Sequence, residues 1–255
     1  VWMALRRIMM AVGQAVGAVV NAFKELDKGM RKVMAVAQFT GATQMRVYAN
    51  LEGRAKDYFA TSSTGMKEIT EAMYQLGTAG RSTEEMMEGF THILDLAIGT
   101  FGDVATAGKV VSGMLNVFEE DLKEFASTSD RIRYVADLLA SAWKNNQIEL
   151  NELFTSMSYL ASAGRAVDIE LKELIASASL LSDAMLRGGK GGRLLARAFT
   201  EISRETGKLR ELGVIFDPYE PLDYYDVMRQ LHDIYVEQGE SLNMLKSLMD
   251  VFGIR

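Results

Sequence analysis

The sequence predicts an all-α protein of about ten helices in a multi-helix bundle. Apolar residues recur at the helical period of 3.6, and strict apolar–polar alternation persists almost nowhere. Only two of the 255 residues are proline, so long helices can run uninterrupted. Capping signals and glycines fall between the periodic stretches, where one helix should stop and the next begin. A short stretch also occurs twice, first as Leu76-Gly77-Thr78-Ala79-Gly80-Arg81 and then as Leu160-Ala161-Ser162-Ala163-Gly164-Arg165. At this offset Glu68 meets Glu152, Ile69 meets Leu153, Met73 meets Met157 and Phe90 meets Leu174. Glycine adopts the left-handed cap conformation without a Cβ penalty. Gly80 and Gly164 are therefore expected to be hinges of a duplicated helix–Gly–helix unit, near 65–97 and 149–181.

Hydrophobic content of 48% and charged content of 24% match an ordinary globular chain long enough to bury a core. Sixteen methionines supply adaptable packing. The absence of cysteine excludes disulfides and thiolate metal sites. A net charge of −6 sets the chain against bulk electrostatic binding of nucleic acid, so DNA contact is not expected.

Taken in order, Trp2 to about Phe39 reads as one long helix or two. Ile8–Phe23 carries no charge, and Gly13 and Gly17 form a small-xxx-small pair that admits close approach of another helix. This run is shorter than the roughly 20 apolar residues of a membrane span, and Gln14 and Asn21 interrupt it, which favours a buried or partner-packed helix. Gly41 breaks the pattern. Helical spacing resumes over Thr43–Ala60, a polar linker follows at 61–65, and Met66, Ile69, Met73 and Leu76 mark an amphipathic helix. Ser82 with Glu85 forms a capping box for a helix to about Ile98. Asp103 caps another to about Phe118. Ser127–Asp130 caps a helix through Ile132, Val135, Leu139 and Trp143, ended by Asn145 and Asn146. Further helices are expected over Leu150–Leu160, Asp168–Leu186, Leu194–Leu212, Tyr224–Val236 and Ser241–Phe252, with a turn-rich segment around Pro218 and Pro221. We divide the chain into a helical lead-in, 1–62, and a helical domain, 63–255.

Between the helices, Arg187-Gly188-Gly189-Lys190-Gly191-Gly192-Arg193 reads as the most flexible stretch of the chain. Arg187, Lys190 and Arg193, beside backbone N–H groups and a helix start, are candidates for contact with an anion. The stretch lacks the Gly-Lys-Ser/Thr ending of a nucleotide loop, and an exposed, mobile connection is the simpler reading. His92 lies near Glu88 and Asp95, but with no second histidine nearby a surface or satisfied histidine is expected rather than a metal ligand. Tyr219, Tyr224 and Tyr225 could stack on bases; anchoring their segment to the helices suits aromatics better. No catalytic, cofactor-binding or metal-binding constellation is visible, and no enzyme activity is expected.

An ordered series of pieces resembles the helical domain of phage tail tape measure proteins: Ala79–Glu85, Leu94–Ala97, Val110–Ser112, Val135–Ala140, Tyr159–Ala161, Leu171–Leu181, the glycine-rich segment, Leu212–Val214 with Phe216-Asp217, and Phe252-Gly253. They cover roughly the last two-thirds of the chain. The positive charges of the 187–193 stretch depart from the family's small and polar residues there. The resemblance implies a structural protein of the virion, made in the host cytoplasm and placed inside the tail tube. It would act in tail assembly, tail-length determination and genome delivery. Its implied partners are tail tube and distal tail or baseplate proteins, further copies of itself through helices, and the host membrane on ejection. The alternative is a membrane-active helical protein of pore or toxin type, motivated by Ile8–Phe23. The chain begins with Val1 and stops at Arg255, from which we expect an excerpt of a longer protein. The many helix restarts lead us to expect a packed module rather than the extended ruler itself.

Overall fold

The structure, a computed structural model, describes residues 2–37, 44–100, 102–146, 148–217, 219, 222–239 and 241–252. Gly41, Pro218 and Pro221, named above as breaks, lie outside them. The described residues form twelve α-helices and one short 3₁₀ turn, with no strand. The expected all-α architecture holds. The chain divides into two compact units, Val1–Ala140 and Ser141–Arg255.

The first unit holds α1 (Trp2–Val36), α2 (Gln44–Thr61), α3 (Met66–Thr78), α4 (Thr83–Gly99) and α5 (Val104–Val117). The 3₁₀ turn Asp121–Glu124 follows, then α6 (Thr128–Asn145), which runs across the division. Trp2–Val36 is thus one helix. The short α3 is the centre of this unit and packs against α1, α2, α4 and α5. Its Ile69, Ala72, Met73 and Leu76 are fully buried, as the i, i+3, i+4, i+7 spacing requires. Around them lie Leu26, Met30 and Val33 of α1, Leu51 and Ala55 of α2, and Met86, Phe90 and Ile93 of α4. Tyr58 meets Phe90 edge-on, with ring centroids 5.4 Å apart. Helices come this close because neither Gly29 nor Gly108 carries a side chain. A Cβ on Gly29 would lie 2.0 Å from Thr70 Oγ1, and one on Gly108 would lie 2.5 Å from Gln75 Cβ. The expected caps are present: Ser82 and Glu85 make the reciprocal capping box, and Asp103 accepts from the Thr106 N–H at 2.8 Å.

The second unit holds α7 (Leu150–Ala166), α8 (Leu171–Asp183), α9 (Gly188–Arg204), α10 (Thr206–Glu211), α11 (Tyr224–Glu237) and α12 (Leu242–Val251). Its core includes Leu153, Met157, Leu160, Leu174, Phe199, Ile202, Val227 and Leu231. The helix expected over Leu194–Leu212 is two, broken at Glu205. Gln230 ties the segment after α10 to α11: its side-chain amide accepts from the Ile215 N–H at 2.8 Å and donates to the Ile215 carbonyl at 2.9 Å, as a strand neighbour would.

The two expected hinges differ. Gly80 is left-handed at φ 79°, with Gly80 N–H donating to the Gly77 carbonyl and Arg81 N–H to the Leu76 carbonyl, a complete Schellman cap. Gly164 is not a hinge. It lies inside α7, and the chain turns at Asp168, φ 60°, whose N–H bonds Arg165 while Ile169 bonds the Gly164 carbonyl. Gly164 is small for another reason: a Cβ there would stand 2.5 Å from both methyls of Leu174 on α8. The same cap recurs at Met185 after α8 and at Gly213 after α10. It is a general helix stop in this chain, so the likeness of the two turns lends no support to a duplicated unit.

Candidate functional site

The basic 187–193 stretch is not a loop. Arg187 sits at the N-cap of α9 in extended conformation, and Gly188 already begins the helix. Glycine here serves a close helix crossing. A Cβ on Gly192 would lie 2.4 Å from the Ser156 carbonyl oxygen of α7, one on Gly189 2.9 Å from the Tyr159 ring, and one on Gly191 2.1 Å from the Leu186 carbonyl oxygen. Ser156 Oγ donates to the Gly188 carbonyl at 2.8 Å, which fixes the first turn of α9 to α7. Gly191 and Gly192 are buried, contrary to the expectation of an exposed stretch. Flexibility and close packing look alike in a sequence of glycines, and backbone atoms of a helix some 30 residues away decide between them.

The three cations have unequal roles. Lys190 and Arg193 are exposed and, three residues apart, share one helix face; Arg187 is half-buried. The Arg193 guanidinium lies over the Tyr159 ring, 4.9 Å from its centroid, so part of its charge is spent on a cation–π contact. The first turn of α9 has no acidic residue and no side-chain cap, which leaves the positive end of the helix dipole beside Lys190.

His92 is met by Ser129, Nε2 to Oγ 3.3 Å, and among the described residues no group of three His, Cys, Asp or Glu could hold a metal ion. Tyr224 is buried, its hydroxyl paired with Ser203 Oγ and its ring edge-on to Phe199 at 5.8 Å. The Tyr225 hydroxyl lies 2.7 Å from Ser177 Oγ and donates to the Glu173 carbonyl at 2.8 Å; burial pushes its pKa up. Both anchor α11 onto α8 and α9. Tyr219 is exposed.

Sequence reading missed a polar node at the start of α4. Glu85 accepts from the Ser82 N–H at 2.7 Å and from the Thr128 hydroxyl, which joins the N-termini of α4 and α6. Burial alone would raise the Glu85 pKa. The hydrogen bonds from Thr128 and Ser82, helped by the charge of Arg81, outweigh it and hold the carboxyl below its usual range. The capping-box spacing announced the local half; the Thr128 half is a tertiary contact without a sequence signal.

Residues 52–254 match a family of proteins described as phage-related minor tail protein. Over 196 residues the chain is 28% identical to a tape measure protein of Pneumococcus phage Dp-1, an alignment that covers 75% of this chain and 16% of that relative. The chain thus spans about a sixth of the relative's length. No solved structure matches.

Proposed function

Because the chain belongs to the phage-related minor tail protein family, and so is a structural component of a phage tail and of the virion, we propose that it is a packed assembly module of a tape measure protein. In this reading it acts in tail assembly, in the determination of tail length and in genome delivery. It does so without catalysis, by contact with tail tube and distal tail or baseplate proteins, from a position inside the tube reached after synthesis in the host cytoplasm. Residues 63–255 would be the module proper and 1–62 its lead-in.

The observation that carries this is the interruption of the helical path. Among the described residues after α1 no helix exceeds 18 residues, and caps at Ser82, Asp103, Asp223 and Ser241 restart the chain. Short amphipathic helices gain their stability from packing rather than from propensity, so each needs a neighbour. Such helices fold into packed units, whereas a ruler needs one extended path of about 1.5 Å per residue. The test is a phage carrying an in-frame deletion of 63–255 in its tape measure gene, propagated with the intact gene supplied in trans and then assayed without it. Loss of infectious tails, with peptides of this segment present in purified parental tails, is expected. Normal plating of the deletion phage would overturn the reading.

Among the described residues no helix is long and apolar enough to cross a membrane.

A further inference from the structure

The positive charge of this chain is gathered on one segment. Residues 187–210 hold seven of the 28 Lys and Arg but two of the 34 Asp and Glu, in a chain whose net charge is −6. Most of that segment is α9. Lys190, Arg193, Arg197 and Arg204 follow one another at steps of three, four and seven residues, so they share one face of the helix. Glu201, on the same face, lies 3.6 Å from Arg204, which concentrates the excess positive charge at the exposed Lys190, Arg193 and Arg197. The helix dipole adds to it, since the first turn of α9 has no acidic residue. Beside this face lies an apolar groove of about 310 Å³. Leu194 and Ala198 of α9, next to the cations around the helix, form one wall, and Leu181 of α8, Met228 of α11 and Phe252 after α12 complete it. Arg197 also lines the groove. Leu194 and Met228 are 40% and 41% exposed, so its walls are open to solvent.

Shape and charge together restrict the occupant. A concave apolar lining takes a ridge of side chains, and a helix offers such a ridge through apolar residues at i, i+3, i+4 and i+7. Membrane contact needs apolar side chains that project into the acyl layer, whereas Leu181, Leu194, Met228 and Phe252 line a recess. Nucleic acid would bring phosphates to the cations but leave the groove empty, and the acidic remainder of the chain repels it. Cations along one border of the groove call for carboxylates along the flank of the incoming helix. We propose that this face of the second unit docks an acidic amphipathic helix of another protein. The apolar stripe of that helix sits in the groove, and its Asp and Glu side chains face Lys190, Arg193 and Arg197. A partner of this chemistry deepens the assembly role proposed above, on which its biological setting rests, while the binding itself is measured apart from that role.

The probe is a synthetic peptide of about 14 residues, roughly four turns, made of Leu, Ala and Glu with Leu at i, i+3, i+4 and i+7. Its binding to the whole 255-residue chain is measured by titration calorimetry at low salt, beside one twin with Lys for Glu and another with Ser for Leu. We expect the acidic amphipathic peptide to bind, more weakly as salt is raised, and neither twin to bind. The double variant Lys190→Glu, Arg197→Glu and the single variant Met228→Ser should each weaken binding by about tenfold or more. All three positions are exposed, so the variants should keep the helix content and the cooperative melt of the parent. The two peptide twins are tested on the unmodified chain, so they decide the matter even where a variant misfolds. No binding of the acidic peptide overturns the proposal, as does equal binding of either twin or full affinity in the folded variants. Duplex DNA or phosphatidylglycerol vesicles bound in place of the peptide would assign the cations to phosphate and also overturn it. A failed titration would leave the tail role standing, and a chain absent from tails would leave the docking face standing.

Discussion

Replacing Gly80 by Ala puts a Cβ on a backbone at φ 79°, where an L-residue costs about 1–2 kcal/mol. Gly80→Asn should recover part of that loss, since asparagine tolerates the left-handed region. At Gly164 the order reverses. Ala meets only the Leu174 side chain, at its two methyls and Cγ, while the larger Asn overpacks the α7–α8 contact by about 1–3 kcal/mol. Chemical denaturation of the four variants distinguishes the two roles, and equal ranking at both positions would refute the distinction. Met185 carries the strain of a left-handed cap at φ 64° while its side chain is 75% exposed. Met185→Gly should therefore raise stability by up to about 1 kcal/mol, read as a higher melting temperature. Glu85 gives a pH signature. Its folded pKa lies below its unfolded value, so its contribution is present above the ordinary carboxylate range and is lost as pH falls through the folded value. The gap in melting temperature between the parent chain and Glu85→Gln should be widest near neutral pH and close on acidification. A gap that widens in acid would contradict the assignment.

At the scale of elements, α9 is where physical context overrode local appearance. Gly192→Val should destabilise the second unit by about 1–3 kcal/mol or more, because the obstruction is the Ser156 backbone and no rotamer change relieves it. Lys190→Ala, on the exposed face, should stay within about 0.5 kcal/mol, and Arg193→Ala should lose the roughly 0.5–1 kcal/mol of its stack on Tyr159. Anion contact by Arg187, Lys190 and Arg193 remains our proposal, checked by low-salt binding to anionic vesicles before and after the triple alanine change. These contrasts explain what the sequence could convey. Helices α3, α4 and α5 were legible because periodicity, caps and glycines act within a few residues. The start of α9, the role of Gly164 and the Thr128 link to Glu85 were not, since each depends on a partner outside the helix that carries the residue. Glycine was the ambiguous letter: at Gly80 it permits a backbone angle, and at Gly164 and Gly192 it makes room for a neighbour.

At the scale of the whole molecule, the central proposal is that this chain is a folded module of a tape measure protein and does not count length. The helices of each unit bury their apolar faces on one another, so residues added or removed there should change a packed block rather than an extended path. Tail length measured by electron microscopy in a phage whose tape measure gene lacks residues 141–251 tests this most directly. Tails that still form should keep the parental length, with fewer of them assembled or infectious. Regular tails shortened uniformly by about 170 Å, the length of that segment at 1.5 Å per residue, would contradict the account and make the segment part of the ruler.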